Sequence, residues 1–136
     1  MQVRKLNFLF AIALLVVFSG TVLAQGIPVD IPGTGVNFFL YRYEGEVPYK
    51  EIDAIWDNIS QVFQAWVDSG QDPGALSGQD VQVRGADIFV KNQFIVTADQ
   101  YHANANKATP SQLAEKWAAN LRKGVDAFVA INVLKD

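Results

Sequence analysis

The chain's single histidine, His102, stands three residues after Asp99 in the stretch ADQYHANAN, residues 98–106. On a helix this spacing sets both side chains on one face, where a carboxylate can orient an imidazole or share a ligand with it. Asp99 and His102 are therefore the candidate ligand-binding pair. A zinc site asks for three or four nitrogen, sulfur or carboxylate ligands, and the chain offers one histidine and no cysteine. A calcium loop asks for alternating acids around a glycine, a pattern the sequence lacks. No metal and no cofactor is expected, and His102 reads as an ordinary surface or half-buried residue where a strand gives way to a helix.

Other chemistry is equally thin. A nucleophile would have to be Ser60, Ser69, Ser77 or Ser111, none of them in a Gly-x-Ser-x-Gly elbow. Glu44, Glu46 and Glu51 cluster at a turn and a helix start, where acids serve the helix dipole rather than flank a glycosidic bond. The glycine-rich GIPVDIPGTG has neither the lysine nor the following helix of a phosphate-binding loop. No catalytic constellation emerges, so the chain is read as a non-enzyme. Lys and Arg number 11 against 14 Asp and Glu, for a formal net charge of −3. An acidic balance without a basic cluster argues against nucleic acid and anionic lipid as partners.

The elements that would position these residues begin after an export signal. Arg4 and Lys5 precede an apolar run from Leu6 to Phe18, and Val22-Leu23-Ala24 offers a cut before Gln25. The run is shorter than the ~20 residues a membrane-crossing helix needs. Residues 1–24 are thus expected to be a signal peptide and the product to be periplasmic or secreted. A retained anchor is the alternative and would be the chain's one link to a membrane.

Two prolines and three glycines in QGIPVDIPGTG make residues 25–35 a flexible tether. Residues 36–43, VNFFLYRY, read as a strand. Its second face, carrying Phe39, Tyr41 and Tyr43, is expected to be partly covered. From Pro48, apolar residues recur at steps of three and four from Ile52 to Val67, and Ser69-Gly70 stops the helix. Residues 81–97 read as one β-hairpin, bent at Gly85 and turned at Lys91-Asn92.

Asp99 or Thr97 can cap a short helical turn over residues 100–105, and Thr109-Pro110-Ser111-Gln112 is a capping box that starts a last helix. Its stripe of Leu113, Trp117, Leu121, Val125 and Phe128 favours helix over strand through 125–134, with Gly124 as a candidate kink. Trp56, Trp66 and Trp117 are assigned to the core. The fold class is α+β, with a small antiparallel sheet (strand 36–43 plus the bent hairpin 81–97) packed against helix 48–69 and the C-terminal helix from 110. Residues 36–136 form a single domain.

The stretch IFVKNQFIVTADQYHANANKATPSQLAEKWAANLRK, residues 88–123, resembles small exported bacterial, often cyanobacterial, α+β modules of unknown function, some in membrane-linked proteins. The likeness rests on Ile95-Val96-Thr97, Asp99, Asn106, Pro110, Leu113-Ala114 and Trp117-Ala118. It implies a unit lying outside the cytoplasmic membrane and carries over no catalytic residue. Two functional readings follow. The first is an exported non-catalytic interaction or sensory module that meets an extracytoplasmic protein partner. The alternative is a small-ligand-binding protein with an aromatic-lined pocket between helix and sheet, and a hydrolase stands third.

Overall fold

The computed structural model describes residues 25–134. The signal expected over 1–24 lies outside the described residues. The fold is α+β, in the order β1 (Gln25–Asp30), β2 (Asn37–Tyr43), α1 (Tyr49–Asp68), a 3-10 turn (Gly78–Asp80), β3 (Val81–Arg84), β4 (Asp87–Val90), β5 (Gln93–Thr97), α2 (Gln100–Ala105) and α3 (Pro110–Asn132).

Three features differ from the sequence reading. Residues 25–30 of the expected tether form β1, paired antiparallel with β2 from Gln25 opposite Tyr43 to Val29 opposite Phe39. Proline is tolerated there for a geometric reason. The Arg42 N–H donates to His102 Nε2 and the Phe38 carbonyl accepts from Asn120 Nδ2, so the backbone groups of residues 38 and 42 turn away from β1. By alternation Leu40 and its partner Pro28 also point outward, and the N–H that Pro28 lacks would have met solvent. Val29 and Ile31 meanwhile reach the core.

The strands also divide into two sheets, β1-β2 and β3-β4-β5, rather than one. Residues 81–97 are a three-stranded meander, because Gly85 at φ +65 opens a two-residue turn between Arg84 and Asp87 instead of bending one strand. Lys91 and Asn92, at φ 48 and 69, make the second turn. The third difference is Gly124, which does not break α3. The helix runs through it, and a Cβ there would stand 2.3 Å from Ile31 Cγ1. The missing side chain is the space into which the β1–β2 connection packs.

The two long helices follow their stripes. Ile52, Ile55, Ile59, Phe63 and Trp66 are buried along α1, and Leu113, Trp117, Leu121 and Val125 along α3. Phe63 stacks on Phe128 at 3.7 Å, joining the two helices. The capping box at Thr109 forms as the sequence specifies, with Gln112 N–H donating to Thr109 Oγ1 and Thr109 N–H to Gln112 Oε1. Of the three tryptophans, Trp66 and Trp117 are buried, whereas Trp56 is only half-buried beside the core. It sits one position along from Ile55, at the edge of the apolar stripe.

Candidate functional site

Asp99 caps α2: its Oδ1 accepts the backbone N–H of His102 at 2.8 Å. The same oxygen lies 2.8 Å from His102 Nδ1. His102 itself is 2% exposed, which corrects the surface or half-buried placement expected for it. The side chain is drawn inward because β2 needs an acceptor at its outer edge. Arg42 N–H donates to His102 Nε2 at 2.9 Å, sixty residues away in sequence. A backbone N–H can only donate, so Nε2 accepts and the ring proton sits on Nδ1, donated to Asp99. The contact is thus a hydrogen bond donated by the imidazole to the Asp99 carboxylate.

This arrangement decides what the pair can do. A carboxylate on Nδ1 is how a catalytic imidazole is oriented, but catalysis or metal binding then needs a free Nε2. Here Nε2 is spent on the backbone. Of the sequence's serines, Ser77 caps the 3-10 turn and Ser111 faces Thr109. Ser60 and Ser69 line other hollows, away from His102. No group of three metal-ligating side chains occurs among the described residues.

What the pair does instead is build a wall. His102 stands edge-on to Tyr41 at 5.0 Å, to Trp117 at 5.4 Å and to Phe39 at 6.0 Å, and Phe39 stacks on Trp117 at 3.9 Å. These rings line one side of a cleft of about 270 Å³, which α1 closes with Ile55 and Asn58 and β5 with Phe94 to Thr97. The cleft opens where the first sheet (Phe39, Tyr41) and the second (Phe94 to Thr97) come near each other without pairing. Asn58 Nδ2 donates to the Ile95 carbonyl at 3.0 Å, so the β5 edge, like that of β2, is satisfied by a side chain.

Compared with protein-family models, curated proteins and solved structures, the chain matches none. The site is read from its own geometry.

His102 is the buried polar group of the lining, and the two carboxylates, Glu51 and Asp99, stand exposed at its edge with Thr97. The Tyr41 phenol is pushed above its ordinary value by burial and, after that, by the negative charges of Glu51 and Asp99. Both carboxylates therefore act on the interior of the cleft.

The structure brings Asp99, His102 and Trp117 together here and leaves Trp56 and Trp66 out of the lining. Sequence reading missed Glu51, assigned to the helix dipole, and the joint role of Phe39 and Tyr41. A period of two marked these two as one strand face, but nothing local said what covered it. A second hollow of about 260 Å³ lies between Trp66, Leu76 and Lys91. Lys91, its one charged group, is engaged by Asp80 at 3.6 Å.

Proposed function

We propose that the protein is an exported, non-catalytic small-ligand-binding module, and that the cleft between the two sheets and α1 holds its ligand. The observation that carries this reading is the unpaired junction of the sheets. There Tyr41, half-buried, and Phe94, 40% exposed, border an open volume of about 270 Å³ that no strand closes, with the buried Phe39 and Trp117 behind them. A dry cavity of ~150 Å³ is enough for benzene, and ligand sites begin near ~300 Å³. The occupant is accordingly small, one ring with a short chain.

We prefer this reading to the partner-docking one because concavity and an aromatic lining suit a small molecule better than a protein face. It is preferred to the hydrolase because both ring nitrogens of His102 are engaged in hydrogen bonds. The test is to fill the cleft. Ala54 lines it from the exposed side of α1, so Ala54→Phe occupies the volume without entering the core. Binding of ring-sized probes, read by the fluorescence of Trp117, is expected to disappear in this variant while the thermal midpoint stays within a few degrees. Unchanged binding in Ala54→Phe would overturn the assignment.

A further inference from the structure

Resting on the cleft reading, we infer that the ligand is a small organic cation: a protonated amine carried on an apolar ring or short chain. Size and apolarity follow from the cleft, and the sign of charge follows from what surrounds it. Among its lining residues are two carboxylates, Glu51 from the first turn of α1 and Asp99 from the cap of α2, and no lysine or arginine. Nothing among the described residues hydrogen-bonds or ion-pairs with the Glu51 carboxylate or with Asp99 Oδ2, whereas Asp99 Oδ1 is committed to His102. One free carboxylate oxygen therefore stands on the α2 side and a whole carboxylate on the α1 side.

Aromatic rings supply the rest. Tyr41 is half-buried and Phe94 is 40% exposed, and both border the cleft. Ring faces carry negative potential and attract ammonium groups within ~6 Å. An anionic ligand would meet two carboxylates and no donor of opposite charge. A neutral one would draw no attraction from either carboxylate, both of which are exposed to solvent.

Three probes of similar size separate the possibilities: phenethylamine, 2-phenylethanol and phenylacetate, titrated calorimetrically into the protein at low and at ~0.5 M salt. The amine is expected to bind at least about tenfold more tightly than the alcohol, by the combined carboxylate and ring attraction, and the phenylacetate not at all. Salt should weaken the amine alone. Glu51→Gln, at an exposed position with no structural partner, should cut amine affinity severalfold and leave the alcohol unchanged.

Equal or tighter binding of the alcohol or the phenylacetate, lost in Ala54→Phe, would overturn the cation assignment and keep the cleft. Amine binding indifferent to Glu51→Gln and to salt would overturn it as well. Failure of all three probes to bind would remove both.

Discussion

The two groups that most resemble catalytic machinery in this chain, Asp99 and His102, are held by hydrogen bonds that leave the ring nothing to react with. Burial of the ring is stabilising only while both nitrogens are engaged, since an unpaired buried donor costs about 1–3 kcal/mol. His102→Leu, similar in bulk, strands the Arg42 N–H and is expected to lower stability by about that amount in urea unfolding; a loss below ~0.5 kcal/mol would mean the bond contributes nothing. A second residue-scale expectation concerns Tyr41. Its phenol is raised by burial first and by Glu51 and Asp99 second, so the folded state favours the neutral form. That contribution is complete below the ordinary phenol value of ~10 and is lost as pH rises through the folded value. Ultraviolet titration in a Tyr101→Phe background, which removes the other raised phenol, should give a Tyr41 midpoint above ~10 that moves down in Glu51→Gln. A midpoint unmoved by Glu51→Gln would place that carboxylate's charge outside the cleft.

Elements were legible where their signals are local. The stripe from Ile52 to Trp66 and the Thr109 capping box depend on residues three or four apart, and α1 and α3 form where those signals stand. β1 was hidden because prolines and glycines mask its alternation. Ile27, Val29 and Ile31 face one way, but whether Pro28 can sit between them depends on which β2 groups point outward, and that is set by His102 and Asn120 some sixty to eighty residues on. Amide exchange checks the element directly: Ile27 and Val29 should be protected and Gly26 should exchange freely, whereas uniform fast exchange would return the segment to a tether. Gly124 was misread for a related reason, since a glycine inside a helical pattern gives no sign of what approaches it. Alanine there would ordinarily gain about 1 kcal/mol in an exposed helix, yet its Cβ would collide with Ile31. Gly124→Ala is expected to cost about 1–3 kcal/mol, the range for overpacking. The loss should shrink in the Ile31→Ala background, and additivity in that double-mutant cycle would refute the contact.

At the scale of the whole molecule, one chain segment decides whether the cleft exists. β1 gives β2 its hydrogen-bonded partner, and Val29 and Ile31 enter the core at 0% and 1% exposure. Asn120 and His102 secure the other edge of β2 from α3 and α2. The wall of Phe39 and Tyr41 is therefore fixed from both sides, and the sequence could not display this because each contact closes over a long stretch of chain. The sequence boundary at residue 36 would remove one side. Burying Val29 and Ile31 is worth about 1.5–3 kcal/mol each, before the exposed β2 ladder is counted, against a total stability of about 5–15 kcal/mol for an ordinary domain. A chain begun at Val36 is expected to lose most of its cooperative unfolding transition and its binding of phenethylamine together, while one begun at Gln25 keeps both. If the shorter chain unfolded at the same urea concentration as the longer, β1 would be an ornament on a domain complete without it, and the cleft wall would have to owe its shape to α2 and α3 alone.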